Sequence, residues 1–296
     1  MAEPIHDQAE VLRRLLVRNF LSVLTITSGS TDTGKTTTVI SLAAALARSG
    51  KRVLVIDENA GANNVSATLG INAHRDLLDV IRRDKTLDEV IIPGLEGFFI
   101  LPAGRGMRVL GKLSADDQAH VIGCFANLAQ PIDVILIDAA PGRSSQMLTL
   151  ALSTHEIVVV VSPDPASITA AYALIKHTCA HHQDKQHFHV VVNKAGTETQ
   201  AKMIFDNMAD VASRYLEVSL DFMGFVPQDG KLCLGRRVTG AVPATASAAA
   251  FCRIAESLAE WPCPDDEERG VERFMKSLLL SSRNSNAATA TAVGAR

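Results

Sequence analysis

Residues 29–36 read Gly-Ser-Thr-Asp-Thr-Gly-Lys-Thr, which fits the phosphate-binding pattern G-x-x-x-x-G-K-[ST]. A β-rich run, Val-Leu-Thr-Ile-Thr-Ser, precedes this stretch at residues 23–28, and an apolar, helix-like run follows it at residues 37–48. The pattern binds phosphate groups when it stands between a strand and a helix in this way. The stretch therefore predicts a nucleotide site and the first strand-loop-helix unit of an α/β fold.

The residue types in this stretch suit a triphosphate. Glycines allow the backbone to turn with its amides pointing inward, where they and the start of the next helix attract anionic oxygens. Lys35 is expected to contact the β and γ phosphates of ATP or ADP, and the Thr36 hydroxyl to bind Mg²⁺. The predicted nucleotide contacts in the loop are Gly29, Ser30, Thr31, Asp32, Thr33, Gly34, Lys35, Thr36 and Thr37.

The composition limits the other classes of function. The 296 residues are 47% apolar, which supports a fully buried core, and the net charge of −3 gives no basic surface for nucleic acid. The five cysteines are scattered and form no C-x-x-C pair, so a disulfide framework or a zinc site is not predicted. No run of 18 apolar residues or signal-peptide core is present, and a cytoplasmic protein is expected.

Downstream of the loop, apolar runs alternate with helix-length stretches. Such runs occur at residues 53–56, 98–101, 134–137, 157–161, 189–192 and 222–226. Nearly continuous apolar strands indicate burial on both faces, so the predicted fold is α/β, a mostly parallel doubly wound sheet with helices on both faces. Asp57, Asp138 and Asn193 follow three of these runs, at the sheet edge where such folds bind ligands.

Asp138 ends the apolar run Val-Ile-Leu-Ile-Asp, and Gly142 follows four residues later. A carboxylate in this position can hold Mg²⁺ through water, and the Gly142 amide can contact the γ phosphate. Aspartates after strands also cap turns, but the phosphate loop upstream favours the metal role. Lys35, Asp57 and Asp138 are the predicted catalytic residues, and Thr36, Asp57 and Asp138 the predicted magnesium ligands.

Five histidines cluster in the sequence, at positions 177, 181, 182, 187 and 189. His177 and His181 are four residues apart on a predicted helix, a spacing that can bind metal. The glutamate of an H-E-x-x-H site is missing between them, and charged histidines suit the end of a helix. Metal binding by the histidines is therefore not predicted.

Both ends of the chain carry an apolar stripe on a predicted helix. Residues 7–20 are predicted to form a short helix with Asp7 as its capping residue and Val11, Leu12, Leu15 and Leu16 as its apolar stripe. This helix could either pack on its own domain or dock on a partner. Near the C-terminus the stripe consists of Val271, Phe274, Met275, Leu278 and Leu279, which suit a membrane interface or an ordinary docked helix about equally. Residues 281–296 are polar and are expected to be disordered.

Taken together, the motifs resemble the MinD-like flagellar ATPases of the FlhG/FleN family, within the ParA/MinD group of P-loop proteins. The resemblance covers almost the whole chain, and its motifs are residues 7–13 (Asp-Gln-Ala-Glu-Val-Leu-Arg), Asp57 with Gly61 and Asn64, residues 167–176, residues 224–227 and Trp261-Pro262. It implies a partner-activating helix at 1–20, a MinD-like domain at 21–263, an amphipathic helix at 264–280 and a tail at 281–296.

The resemblance also implies a biological role. In this family ATP drives formation of a face-to-face homodimer and binding to anionic membrane, so the protein is expected in the cytoplasm and, reversibly, at the inner face of the plasma membrane. The partners implied are an FlhF-type GTPase, basal-body components and a flagellar transcription regulator. The GTPase contacts would be Asp7, Gln8, Ala9, Leu12 and Arg13, and Asn193 and Pro227 would lie near adenine.

Two departures from the family pattern bear on ATP hydrolysis. Ser30 stands where the family has a lysine that reaches the nucleotide of the other subunit, and Thr31 and Asp32 replace glycines. Asn59 stands where the family has the aspartate that orients the attacking water, and asparagine cannot accept a proton from it. The neighbouring Glu58 is expected to project the other way in an extended segment.

These departures favour a nucleotide-binding regulator that stimulates an FlhF-type GTPase and has slow or absent hydrolysis of its own. The alternative is an active ATP-hydrolysing switch of the same family. A third hypothesis, an ATP-dependent ligase similar to dethiobiotin synthetase, depends only on the Gly-Thr-Asp-Thr type of loop that both share.

Overall fold

The computed structural model describes residues 21–61, 64–140, 154, 156–182, 185–229, 245–259 and 274–280. The predictions for the helix at 1–20, for Gly142, for Val271 and for the tail at 281–296 lie outside the described residues. Within the described ranges, no helix has both the length and the apolar character needed to cross a bilayer.

The described strands form one eight-stranded sheet in the order β3-β4-β2-β5-β1-β6-β7-β8. All neighbouring strands run parallel except β3, which runs antiparallel to β4. The mostly parallel sheet is thus confirmed, while the two-residue β3, which contains a proline, carries no periodic signal and was not predicted. The strands are β1 Ser22–Thr27, β2 Val53–Asp57, β3 Ile92–Pro93, β4 Phe99–Pro102, β5 Val134–Asp138, β6 Glu156–Val161, β7 His187–Ala195 and β8 Ser219–Pro227.

Helices cover both faces of the sheet, because alternate strand residues point to opposite faces and both sets are apolar. The helices are α1 Lys35–Arg48, α2 Val65–Thr68, α3 Leu77–Ile81, α4 Leu87–Val90, α5 Gly104–Met107, α6 Ala115–Ala126, α7 Pro165–His181, α8 Glu198–Leu216 and α9 Ala246–Ala259, with short 3₁₀ turns at Leu95–Gly97 and Leu110–Lys112. One core contains Leu54 and Ile56 with helices α3, α4, α6, α7 and α8, and the other contains Val53 and Val55 with α1 and α9.

Strand β1 lies near the middle of the sheet, between β5 and β6. The chain moves from β1 to β2 and the strands on that side, and after β5 it continues with β6 on the opposite side. This reversal of strand order creates a crevice at the carboxyl ends of the strands, where open α/β sheets bind their ligands. The loop at residues 29–34 leaves β1 at this point.

The last described helical segment, residues 274–280, carries four of the five residues predicted for the membrane face. Phe274, Met275, Leu278 and Leu279 are all buried and belong to the core that includes α7 and α8. Their burial means that this stripe packs against the protein and is not available to lipid in this structure. Only Leu280 is strongly exposed among the apolar residues of the segment. The docked-helix alternative is therefore the arrangement the structure has.

The start of the phosphate loop is in direct contact with α7. A Cβ atom at Gly29 would lie 2.2 Å from the backbone carbon of Ala170, closer than real Cβ contacts allow. Because the obstructing atoms belong to a helix backbone, no side chain can rotate away to make room. Glycine at this position is thus required for the close approach of loop and helix.

We expect Gly29→Ala to lower the free energy of unfolding by about 2 to 3 kcal/mol, the usual cost of overpacking a core. Gly123→Ala is the matched control, because a Cβ at Gly123 in α6 meets nothing within 4 Å. The control should be neutral or stabilising by up to about 1 kcal/mol, since alanine favours a helix. Urea unfolding of the three proteins measures both effects, and equal stability of Gly29→Ala and wild type would contradict the contact.

Candidate functional site

The phosphate loop is braced from the carboxyl end of β7. The Asn193 side-chain amide donates a hydrogen bond of 2.8 Å to the carbonyl of Thr33, and the Lys194 ammonium donates to the carbonyl of Asp32. Gly34 has a φ of 83°, and a Cβ there would lie 2.3 Å from the Asn193 amide nitrogen. The turn of the loop therefore needs glycine both for its backbone angle and for its contact with β7.

At the end of the loop, Lys35 opens α1 and forms a buried ion pair with Asp138, the last residue of β5. The Thr36 hydroxyl donates a hydrogen bond of 2.8 Å to the other carboxylate oxygen of Asp138. The side chains of Lys35 and Asp138 are only 6% and 0% exposed, so water screens the pair little. Three of the residues predicted from the sequence are thus brought together.

A second carboxylate joins them through Asn59. The Asn59 side-chain amide lies 3.1 Å from Asp57 Oδ1 and 3.1 Å from Asp138 Oδ2, and so bridges the two carboxylates. The backbone amides of Asn59 and Val65 also donate to Asp57, at 3.0 and 2.6 Å. Where an aspartate would add a further negative group, asparagine supplies hydrogen-bond donors that hold Asp57 and Asp138 together.

Glu58 is a site residue that the sequence reasoning missed. It was expected to project away, but its side chain is buried and accepts a 2.7 Å hydrogen bond from the backbone amide of Ala140. Burial raises the pKa of Glu58, the amide bond and Lys35 oppose that rise, and Asp138 adds to it. Its other oxygen has no hydrogen-bond partner among the described residues. In the sequence, the one sign of this role is that Glu58 is a charged residue directly after an apolar strand.

Three buried carboxylates, those of Asp57, Glu58 and Asp138, lie in the described part of the site. Burial, and then the nearby Asp138 carboxylate, raise the pKa of Asp57 to about 7, although the amides of Asn59 and Val65 favour its ionised form. Among the described residues, Lys35 is the cation that forms an ion pair with one of these carboxylates, Asp138. A set of carboxylate oxygens with one hydroxyl, that of Thr36, is the donor chemistry that Mg²⁺ prefers.

The remaining predicted contacts surround this centre. Thr31 and Asp32 are exposed at the tip of the loop, so neither fills the space beside Lys35. Solvent screens the exposed Asp32 carboxylate, so its repulsion of a bound phosphate group would be weakened. Asn193 pairs in register with Val226, and Ala195, two residues further on, pairs with Pro227. Asn193 and Pro227 therefore lie together at the carboxyl ends of their strands.

Comparison with known proteins relates this site to a family. Residues 24–235 match the family described as the CobQ/CobB/MinD/ParA nucleotide binding domain. The antiactivator FleN of Pseudomonas aeruginosa is 32% identical over 263 residues, which cover 88% of this chain and 94% of that protein. The flagellum site-determining protein YlxH of Helicobacter pylori is 23% identical over 71% of this chain and 70% of its own length.

Solved structures show the same fold. The MinD cell division protein of Aquifex aeolicus has a TM-score of 0.61 and 23% identity, and the match covers 83% of this chain and all of that one. The septum site-determining protein MinD of Pyrococcus horikoshii, in complex with Mg-ADP, also scores 0.61, with 22% identity over 81% of this chain and 96% of its own.

The raised pKa of Asp57 predicts a pH dependence of stability. Because the pKa rises from 3.8 to about 7 on folding, the folded protein holds a proton that the unfolded chain has lost between these pH values. Stability without Mg²⁺ or nucleotide should therefore fall by about 2 kcal/mol between pH 5 and pH 7, in addition to the effect of other groups.

Urea unfolding in EDTA from pH 5 to pH 8 measures this slope. Asp57→Asn should flatten the slope, whatever constant cost the lost hydrogen bonds add, because the variant no longer titrates at residue 57. Asp210→Asn, at an exposed position on α8, is the matched control and should keep the wild-type slope. A wild-type slope in Asp57→Asn would contradict the assignment.

Proposed function

Because the chain belongs to the CobQ/CobB/MinD/ParA family of nucleotide-binding domains, and within it to the FlhG/FleN flagellar proteins, we propose that it is a MinD-like regulator of flagellar number or placement. The FleN relative matches along 88% of the chain, which favours this function over the ligase-like alternative. The regulator would bind Mg·ATP or Mg·ADP in the crevice beside β1.

The observation that supports nucleotide binding best is the buried contact of Lys35 and Thr36 with Asp138. In the loaded site Thr36 and Asp138 would hold Mg²⁺, and Asp57 would contact it through water. The Lys35 ammonium would turn from Asp138 to the phosphates, where it neutralises their charge. Mg²⁺ itself would supply positive charge to a site that has three buried carboxylates, so nucleotide binding should depend strongly on it.

We propose that ATP turnover is slow or absent. Asn59 donates hydrogen bonds to Asp57 and Asp138 and has no basic group to accept a proton from water. Ser30 cannot supply the cation that the family places across the dimer. Both departures reduce stabilisation of the transition state, and they do so at different points of the site.

Glu58 supports the alternative of an active ATPase. Its carboxylate is buried beside Lys35 and Asp138, and burial raises its pKa, which favours acceptance of a proton from water. Its Oε2 atom accepts the bond from the Ala140 amide, and Oε1, which has no partner among the described residues, would contact a water near the γ phosphate. Hydrolysis by this route would depend on Glu58 and not on residue 59.

We also propose the three interactions that the family suggests, with a GTPase, with a membrane and with a second copy of the chain. Residues 1–20 would act as a separate helix that stimulates an FlhF-type GTPase. Membrane binding through Phe274, Met275, Leu278 and Leu279 would require residues 274–280 to leave the core in which they are buried. ATP binding would also drive formation of a homodimer. In the docked state the protein would therefore remain off the membrane.

Calorimetric titration with Mg·ATP tests the nucleotide proposal. We expect binding by the wild type and an affinity about 100-fold lower for Lys35→Ala, because a charge-assisted contact contributes about 2 to 3 kcal/mol. Lys85→Ala, which removes a surface lysine paired with Glu89, is the control and should bind like the wild type. Absence of binding by wild type in excess Mg²⁺ would refute the proposal.

Phosphate release from Mg·ATP distinguishes the regulator from the ATPase. The regulator predicts that wild type and Lys35→Ala release phosphate at the same background rate, also when lipid and the GTPase partner are added. Steady release that is lost in both Lys35→Ala and Glu58→Gln, in protein that still binds ATP after the Glu58 change, would instead identify the active enzyme.

Deletion of residues 1–20 tests the partner contact. The truncated protein should keep its unfolding midpoint and its ATP affinity but lose stimulation of an FlhF-type GTPase, because the helix is proposed to act outside the α/β domain. A second test is Arg13→Ala in the full chain, which should weaken stimulation without changing either of the other measurements. Unchanged stimulation by the truncated protein would disprove this role.

A further inference from the structure

A cluster of histidines and carboxylates lies at the start of three adjacent strands, far from the phosphate loop. His187 and His189 belong to the first residues of β7, Asp221 to β8 and Glu156 to β6. The register pairs His189 with Asp221 and with Val158. Residues two apart on a strand share a face, so all four side chains lie on the same face of the sheet.

The side chains meet in pairs. The Nε2 atom of His187 lies 3.0 Å from Asp221 Oδ2, and the Nε2 atom of His189 lies 2.8 Å from Glu156 Oε2. The two imidazole rings are 4.8 Å apart and nearly perpendicular. One ligand atom each from His187, His189 and Asp221 can be chosen so that all three lie within 4.8 Å of one another.

The chemistry of the cluster resembles that of a transition-metal site. Two imidazoles and one carboxylate are a ligand set that Zn²⁺ accepts, with a fourth position left to water. Histidines that bind zinc commonly hold a carboxylate with the other ring nitrogen, which orients the ring and raises its basicity. Glu156 stands in that relation to His189, whose side chain is only 9% exposed and is therefore held in place.

We propose that His187, His189 and Asp221 bind a Zn²⁺ ion, with Glu156 as the residue that positions His189. His187 and Asp221 are 46% and 56% exposed, so the ion can enter from solvent with a small movement of two surface side chains. The bound ion would join β7 to β8, the strand at the edge of the sheet. Its role would be to secure this edge.

The proposed ion is separate from the nucleotide. His187 and Asn193 are six residues apart on β7, which at the rise of a strand corresponds to about 20 Å. His187 lies at the amino end of the strand, and Asn193 contacts the phosphate loop at the other. Zinc binding should therefore be unaffected by changes at Lys35.

Equilibrium dialysis and calorimetry of the full-length protein with Zn²⁺, in a large excess of Mg²⁺, test the proposal. The excess Mg²⁺ occupies sites built of oxygen ligands and leaves a site with imidazole to Zn²⁺. We expect one Zn²⁺ per chain and an increased melting temperature. His187→Ala should abolish that binding, and Glu156→Gln should weaken it about 10-fold to 100-fold. Cobalt added in place of zinc should give the visible absorption of a four-coordinate or five-coordinate site.

The matched control changes the other close histidine pair, His177→Ala with His181→Ala, whose rings stack at 4.2 Å on α7. The control should bind Zn²⁺ like the wild type. Melting in EDTA shows whether His187→Ala is folded, and Asp221→Asn gives a second test at an exposed position. Loss of zinc in the control, or unchanged affinity in both His187→Ala and Asp221→Asn, would overturn the proposal, as would a wild-type protein that binds no zinc.

Discussion

The structure of the site depends on the buried ion pair between Lys35 and Asp138. Removing two charges from water is costly, and a buried pair is often no more stabilising than apolar residues of the same size. Here the pair joins the helix after the phosphate loop to the central strand β5, and Thr36 adds a hydrogen bond to the same carboxylate. The burial of this pair is therefore better explained by ligand binding than by stability.

The sequence predicts the fold and the centre of this site well, for physical reasons. Short, nearly continuous apolar runs that alternate with helix-length stretches indicate the buried strands of a parallel sheet, and a G-x-x-x-x-G-K-[ST] loop after the first of them has one usual arrangement. The carboxyl ends of parallel strands meet at one edge, which brings Asp57 and Asp138 to Lys35. Each of these inferences uses spacing along one strand or one loop, and spacing is what a sequence records.

Sequence spacing does not reveal the direction of a side chain that follows the end of a strand. The two-residue period of a strand predicts that the Glu58 side chain points away from the site. The strand ends at Asp57, however, and the Ala140 amide donates a hydrogen bond to the Glu58 carboxylate. The bridging role of Asn59 depends on two carboxylates from different strands. The sequence does not reveal the cluster around His187 and His189 either, because Asp221 is 32 residues away from His189. The spacing of His177 and His181 on a helix is the more visible pattern.

The docked position of residues 274–280 has an energetic consequence. If each of the four buried apolar side chains contributes about 1.5 kcal/mol, detaching the segment costs about 6 kcal/mol. By that figure only about one molecule in 20,000 would have the segment free at any moment. Undocking would then be rare unless another interaction offsets this free energy. A surface that buries the same four side chains, or a rearrangement that closes the vacated groove, would do so. The segment would therefore stay docked until an interaction of comparable free energy favours its release.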